Sequence, residues 1–259
     1  MRIKKHWEKI KYTILGFFSV VAISFFIPEA LPDNQHFEQI LHSRFGAEDV
    51  IIIFNPGGWG YASLDEAGTF QTVIDGIKNT IEEWGYNVFV VPYNRTRDTL
   101  AEKIKGLKEL NQDFENRSRE TADQIENFLE RNSKTKIVMA GVSNGGVFVD
   151  KVMEKISEET QTVVYAVEVG KPYQPEVAES ANILRIENDQ DLLAKGDLYN
   201  LTFTYIKGSI KWLYAKLTGN SELSFTEATY IPNHRYGWDS PKVGPQITDF
   251  LAKKVIQKK

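Results

Sequence analysis

A glycine-flanked serine is the strongest chemical signal in this sequence. The pentapeptide GVSNG at 141–145 follows a β-branched run and precedes a segment with helical periodicity. Small residues two positions before and two after a serine allow a sharp strand-to-helix turn that exposes the hydroxyl. The pattern predicts Ser143 as a nucleophile, and the alternative is a glycine-rich turn whose serine is unreactive.

A serine hydroxyl becomes nucleophilic only when a base lies within hydrogen-bond reach. The sequence has four histidines, and three of them precede residue 49. His234 is the one histidine after Ser143, and it directly follows a weak strand pattern at 228–232. His234 is therefore the candidate base.

The base in turn needs a carboxylate to orient it. The segment ENDQD at 187–191 follows a predicted strand and holds two suitable aspartates. We prefer Asp191 because Asn188 suits the turn at the strand end and two leucines follow the acid. Asp189 stays open as the alternative acid.

Acyl transfer also needs N–H donors at the position where the oxyanion develops. The glycine-rich segment NPGGWG at 55–60 follows the first predicted strand. We predict that Gly58 or Trp59 supplies one donor and Asn144 the other. A phosphate-binding turn is the alternative, but neither common nucleotide-binding glycine pattern occurs. No cofactor is predicted, and no metal either, because His234 lacks clustered partners with zinc-ligand spacing.

Strand and helix patterns alternate along the chain and must position these groups. Strands are predicted at 49–54, 87–92, 136–142, 163–169 and 182–186, with 228–232 as a weaker sixth. Helices are predicted at 70–84, 100–114, 121–129, 145–156 and 246–255. This alternation predicts an α/β fold with a mostly parallel sheet flanked by helices on both faces.

The amino terminus carries a membrane-directed pattern. Residues 1–11 are basic, and residues 12–27 form an uncharged, mostly apolar run. We expect a cytoplasmic segment at 1–11, one transmembrane helix at 12–27, a stalk at 28–48 and an extracytoplasmic domain at 49–259. A cleaved, secreted form and a buried core helix are the alternatives for the run.

A segment near 194–226 separates the candidate acid from the candidate base and resembles a small lid. It contains aromatic residues and lysines in an amphipathic pattern, which favours contact with lipid or an apolar acyl chain. Trp212 in this segment and Tyr61 beside the glycine-rich loop are candidate pocket walls. The alternative is that these aromatic side chains simply pack on the sheet.

Composition excludes several classes of function. The chain has 31 basic and 35 acidic residues and a formal net charge of -4, so nucleic acid is not an expected partner. Cysteine is absent, which excludes disulfides, thiolate metal sites and a cysteine nucleophile. The oligomeric state is not indicated.

The motifs together resemble those of the α/β-hydrolases over most of residues 49–256. The resemblance rests on NPGGWG at 55–60, GVSNG at 141–145, ENDQD at 187–191 and NH at 233–234. It implies an esterase or lipase-like serine hydrolase with Ser143 as nucleophile, Asp191 as acid and His234 as base.

Two departures from that family pattern are evident. No convincing antiparallel strand pair precedes residue 49, so a reduced form of the fold is expected, and Asn55 stands where many relatives have histidine. The expected substrate is a carboxylic ester or thioester, from a small molecule or a lipid. An acyltransferase with the same triad and a catalytically silent, anchored binding or scaffold protein are the alternatives.

Overall fold

The computed structural model describes most of the chain from Gln35 to Ile256. The described residues are 35–46, 49–58, 60–96, 114–174, 180–196, 198–219, 223, 228, 230, 231 and 233–256. The predicted cytoplasmic segment 1–11, the predicted anchor 12–27 and most of the predicted helix 100–114 lie outside them. Within the described ranges, no helix combines the length and apolar character needed to cross a bilayer.

Five strands, all parallel, form the sheet seen in the described part of the chain. They are β1 (Asp49–Asn55), β2 (Asn87–Pro92), β3 (Lys136–Val142), β4 (Val164–Val169) and β5 (Ile183–Ile186), in the spatial order β2-β1-β3-β4-β5. The three central strands are almost wholly buried and rich in β-branched residues, as expected for a parallel sheet covered on both faces. The predicted α/β class and the positions of the five main strands are confirmed.

Six helices lie in the described part of the chain; they cover both faces of the sheet, and two of them follow β5. They are α1 (Gln35–His42), α2 (Thr69–Glu83), α3 (Glu115–Arg131), α4 (Asn144–Met153), α5 (Leu198–Leu217) and α6 (Val243–Lys254). Helices α1, α3 and α4 pack with Ile51 and Ile53 of β1, whereas α2 and α6 pack with Ile52 and Phe54. Alternate residues of one strand thus supply two apolar cores, each large side chain contributing about 1.5–3 kcal/mol on burial.

Helix α1 corrects the expectation of a stalk over residues 28–48. Phe37 and Leu41 lie one helical turn apart, and both are buried in the core beside α3. The Phe37 ring meets the Tyr93 ring edge to face at 5.0 Å. The short helix was missed because polar residues surround these two side chains in the sequence. Residues 35–46 therefore belong to the domain.

The weak strand expected at 228–232 does not occur among the residues described there. Ala228 is helical, and neither Tyr230 nor Ile231 pairs with a strand. The His234 N–H donates to the Ile231 carbonyl at 3.3 Å, so the chain turns here instead of extending. In the described part of the sheet, β5 is consequently an edge strand.

The candidate site lies where the strand order reverses. Chain connections leave β1 toward β2 on one side, whereas β3 leads toward β4 and β5 on the other. Open parallel sheets bind ligands beyond the carboxyl ends of the strands at such a switch point. The glycine-rich segment 55–60, called here the oxyanion loop, follows β1, and Ser143 follows β3.

Helix α5 lies within the predicted lid-like segment 194–226. Gly208 and Ala215 are buried, whereas Ile210 and Tyr214 are 64% and 68% exposed. The two exposed apolar residues lie one turn apart and therefore share a face of the helix.

Trp238 fixes the loop that follows His234 to the rest of the domain. Its backbone N–H donates to Thr72 Oγ1 of α2 at 3.0 Å, and its carbonyl accepts the N–H of Gly244 at 3.1 Å. The indole ring lies directly on Gly76, where a methyl group would overlap it. The loop after His234 is thus attached to both α2 and α6.

Candidate active site

Ser143 occupies a strained turn between β3 and α4. Its backbone has φ 53° and ψ -126°, a region that residues with a side chain rarely adopt. A methyl group on Gly141 would lie 2.5 Å from the Gly145 carbonyl oxygen. The two glycines of the pentapeptide therefore permit the turn that holds Ser143, as a nucleophile elbow requires.

The oxyanion loop packs directly against this turn. A methyl group on Gly57 would lie 2.8 Å from the Val142 carbonyl oxygen and 3.1 Å from Ser143 Cβ, and one on Gly145 would overlap the Asn55 carbonyl. Glycine is needed on both sides of the contact because the two backbones meet without intervening side chains. The arrangement brings the loop within reach of the serine.

The predicted donors have different placements. Asn144 is the first residue of α4, so its N–H has no acceptor within the helix. Its side-chain amide donates to the Gly58 carbonyl at 3.0 Å, and Gly58 has a φ of 54° that suits glycine. The structure thus joins Asn144 to Gly58, whereas Trp59 lies outside the described residues.

His234 and Asp191 are in direct contact. His234 Nδ1 lies 2.7 Å from Asp191 Oδ2, and the Asp191 side chain is completely buried. The other carboxylate oxygen accepts the Leu193 N–H at 2.9 Å. Since Nδ1 faces the carboxylate, the Nε2 atom of His234 is left to receive a proton from a nucleophile. Asp189, the alternative acid, is exposed on the same loop.

Tyr236 is a component of the site that the sequence analysis missed. Its hydroxyl donates to Asp191 Oδ2 at 2.7 Å and accepts the Asn188 N–H at 3.1 Å. The ring rests on Gly170, at the end of β4, where a side chain would collide with it. A tyrosine two residues after a candidate base was the available signal, but tyrosines are too common for it to be specific.

These contacts set the ionisation of the buried acid. Burial alone would raise the pKa of the Asp191 carboxyl, but hydrogen bonds from His234 and Tyr236 outweigh that effect and leave the pKa below its usual value. Burial, followed by the hydrogen bond to Asp191, raises the pKa of the Tyr236 hydroxyl. Asp191 is therefore a carboxylate and Tyr236 a neutral donor at neutral pH.

The turn that holds Ser143 and the loop that holds His234 and Tyr236 both contact the carboxyl end of β4. The Ser143 N–H donates to the Val169 carbonyl at 3.0 Å, and Tyr236 packs on the next residue, Gly170. Although both residues are described, no hydrogen bond joins the Ser143 hydroxyl to His234. In unliganded enzymes such bonds are often long and tighten when substrate binds.

The two candidate pocket walls are placed less specifically. Tyr61 lies just beyond the oxyanion loop and is 41% exposed. Trp212 is half-buried on α5. Their contribution to a substrate pocket stays a prediction.

A buried cluster of charged side chains, which was not predicted from the sequence, includes Asp150 of α4. Lys171 Nζ is 2.9 Å from Asp150 Oδ2 and 3.5 Å from Glu168 Oε2, and Arg185 lies 2.5 Å from Asp150 and 3.1 Å from Glu168. Burial, and secondarily the nearby Asp150 charge, raise the pKa of Glu168 to about 8. The cluster adjoins Gly146, since a methyl group there would lie 3.4 Å from Lys171 Cβ.

Metal-ligand chemistry is not indicated by the side chains described. Within those ranges, no three histidine or carboxylate side chains are grouped closely enough to hold an ion. The candidate site consists of protein groups suited to proton transfer and anion stabilisation.

Comparison with known proteins identifies the fold. No family model and no curated protein sequence matches the chain. An acetylxylan esterase structure at 0.90 Å resolution matches with a TM-score of 0.50 and 15% identity, over 82% of this chain and 100% of that one. A Trichoderma reesei cutinase in complex with a C11Y4 phosphonate inhibitor matches with a TM-score of 0.47 and 15% identity, over 92% of this chain and 90% of that one. At the level of the fold, the resemblance to the α/β-hydrolases is confirmed.

Proposed function

We propose that this protein is a serine hydrolase that cleaves carboxylic esters or thioesters through an acyl-enzyme. The contact between His234 Nδ1 and the buried Asp191 carboxylate, 2.7 Å long, carries the proposal. A buried aspartate on Nδ1 fixes the tautomer in which Nε2 acts as a base. Ser143, on its strained turn at the neighbouring strand end, supplies the hydroxyl.

Acylation follows from these placements. His234 Nε2 takes the proton of Ser143 as Oγ attacks the carbonyl carbon, and the carbonyl oxygen becomes an oxyanion. The N–H of Asn144 and a second N–H from the oxyanion loop, at Gly58 or Trp59, stabilise that charge. Collapse of the intermediate breaks the ester bond, and the imidazolium gives its proton to the departing alcohol or thiol.

Deacylation repeats these steps with water. His234 takes a proton from water as the oxygen attacks the acyl carbon, and collapse of the second intermediate releases the acid while the His234 imidazolium returns its proton to Ser143 Oγ. The Asp191 carboxylate stabilises the imidazolium in both halves of the reaction. The fold similarity to an esterase structure is consistent with this chemistry without specifying a substrate.

An apolar acyl group or a lipid ester is the proposed substrate class. Ile210 and Tyr214 present exposed apolar surface on α5, and the exposed Lys207 and Lys211 lie on the same side. A face of this kind suits contact with lipid, where apolar groups enter and lysines stay at the charged surface. Hydrolysis of p-nitrophenyl esters from two to twelve carbons would test this, and a preference for acetate over all longer chains would contradict it.

The proposed location is extracytoplasmic, with residues 12–27 as a membrane anchor. The charge-free run and the basic residues at 1–11 support this orientation. Protease added to intact cells should remove the domain if the proposal holds. Protection of the domain until the membrane is permeabilised would contradict it.

Labelling with a fluorophosphonate probe tests the enzyme assignment. The folded wild-type protein should react with one equivalent of probe and hydrolyse short p-nitrophenyl esters, whereas Ser143→Ala should do neither. Ser157→Ala is the matched control, because Ser157 is an exposed serine bonded to Thr160. Absence of labelling in the folded wild type would favour a catalytically silent binding protein. Faster loss of the acyl-enzyme to added alcohol than to water would favour an acyltransferase.

A further inference from the structure

Arg95 lies buried between the oxyanion loop and the Ser143 turn, although the proposed reaction gives it no direct part. The residue is 2% exposed and follows β2. Arginine is rarely buried unless its charge and donors are matched by partners, because a guanidinium loses strong hydration on entering the protein. The partners of Arg95 therefore indicate what the burial accomplishes.

The two ends of the guanidinium fork bind two different elements. One terminal nitrogen donates to the Asn144 carbonyl at 3.0 Å, and the other donates to the Pro56 carbonyl at 2.6 Å. Asn144 is the predicted donor next to the nucleophile, and Pro56 begins the glycine-rich part of the oxyanion loop. One rigid, planar group thus sets the separation between the two sources of oxyanion donors.

The other end of the oxyanion loop is also held by Arg95. Its backbone N–H donates to the Gly60 carbonyl at 2.7 Å. A methyl group on Gly60 would lie 3.0 to 3.1 Å from atoms of the Arg95 side chain, so the loop packs flush against it. The loop is therefore attached to the same residue at Pro56 and at Gly60.

Two aromatic rings fix the orientation of the guanidinium. Its central carbon lies 4.9 Å from the Phe114 ring centroid and 5.5 Å from that of Phe148. The rings favour the cation and restrict its plane, so the fork is already aligned before substrate arrives. Pre-aligned donors are what oxyanion stabilisation needs, since an error of about 1 Å in position can reduce the rate about 10²-fold.

We propose that Arg95 is the positioning residue that sets the geometry of the oxyanion hole, by bridging the Pro56 and Asn144 carbonyls. The inference rests on the proposed hydrolase function. It requires that loss of the fork lowers kcat while leaving ground-state binding, and hence KM, nearly unchanged. It also requires weaker binding of a boronic acid, whose tetrahedral adduct resembles the intermediate.

The test compares Arg95→Ala, Arg95→Lys and the wild type with a p-nitrophenyl ester. We expect Arg95→Ala to lower kcat about 10²-fold, with KM within about threefold, and to weaken phenylboronic acid inhibition similarly. Arg95→Lys should fall between the two proteins, because one ammonium cannot reproduce a two-pronged fork. Millimolar guanidinium should restore part of the kcat of Arg95→Ala by occupying the vacated site.

Arg131→Ala is the matched control. Arg131 also donates to a backbone carbonyl, that of Leu41 at 2.9 Å. It is the last residue of α3, shortly before the amino end of β3, whereas Ser143 follows the carboxyl end of that strand. Its kcat and boronic acid inhibition should match the wild type. If Arg95→Ala does not fold, Arg95→Lys with the same measurements decides the question.

Three results would overturn the inference. These are an unchanged kcat in a folded Arg95 variant, a rise in KM alone, and a loss of kcat that guanidinium does not restore. Each of them presupposes an active wild type. An inactive, unlabelled wild-type protein would instead overturn the proposed function, so the two failures are distinguishable.

Discussion

Asp191 Oδ2 lies 2.7 Å from His234 Nδ1 and holds the imidazole in one orientation. The same oxygen accepts the Tyr236 hydroxyl, and the other oxygen accepts a backbone N–H. A buried carboxylate with this many donors stays ionised and fixed in place. The position of the proposed base is therefore determined by contacts that can be changed singly.

Asp191→Asn should reduce kcat by about 10⁴-fold with little change in KM, because an amide would favour the wrong imidazole tautomer. Asp189→Asn is the matched control, since Asp189 lies two residues away and is exposed. Steady-state kinetics on both variants checks the assignment. A larger loss in Asp189→Asn would transfer the role of acid to that residue.

Tyr236→Phe should lower the free energy of unfolding by about 1.5–3 kcal/mol, the usual contribution of a hydrogen bond to a charged group. The folded state lowers the pKa of Asp191, so this stabilisation is present above the unfolded pKa and lost as the pH falls through the folded pKa. The difference between variant and wild type should therefore shrink below about pH 4. Urea denaturation at several pH values measures it, and a difference that grows in acid would contradict the assignment.

Gly145→Ala and Gly146→Ala should behave differently although the residues are adjacent in α4. A methyl group on Gly145 would overlap the Asn55 carbonyl, whereas the nearest atom to one on Gly146 is 3.4 Å away. We expect Gly145→Ala to displace the oxyanion loop and lower kcat at least 10²-fold. Gly146→Ala should retain activity within about threefold. Equal activities would contradict the close packing of loop and turn.

Glu168→Gln should alter how stability depends on pH. The folded state raises the pKa of Glu168 to about 8, so in the wild type this group lowers stability as the pH rises from about 4.5 to 8. Glutamine cannot ionise and removes that loss. The melting temperature of the variant should therefore increase relative to that of the wild type as the pH rises across this range. Glu130→Gln, on the exposed face of α3, is the control. A constant difference across the range would show that Glu168 is ionised throughout.

Hydrophobic pattern predicted the sheet well, because buried parallel strands appear as short β-branched runs bounded by turn residues. Strand β1 was expected at 49–54 and ends at Asn55. Helix α1 was not expected, because its burial depends on contacts with α3 and Tyr93 that are distant in sequence. The local sequence pattern of a short helix does not indicate such long-range contacts.

The residues of the candidate site were likewise predictable from the sequence only in part. Glycine spacing pointed to Ser143 because the turn itself requires small residues, and scarcity of histidine pointed to His234. Arg95 and Tyr236 could not be selected from sequence, since their importance arises only from the atoms that folding places beside them. Surface arginines and tyrosines have the same local sequence character.

The attachment of Trp238 to α2 and α6 has a consequence for how this scaffold can diversify. Since the segment after His234 is secured from its carboxyl side, its position does not rest solely on contacts made by the preceding forty or so residues. That stretch can therefore vary in length and chemistry during evolution while the reactive groups stay in register. We expect homologous proteins to differ most in the region of α5, where substrate preference would change without altering the proposed catalytic residues.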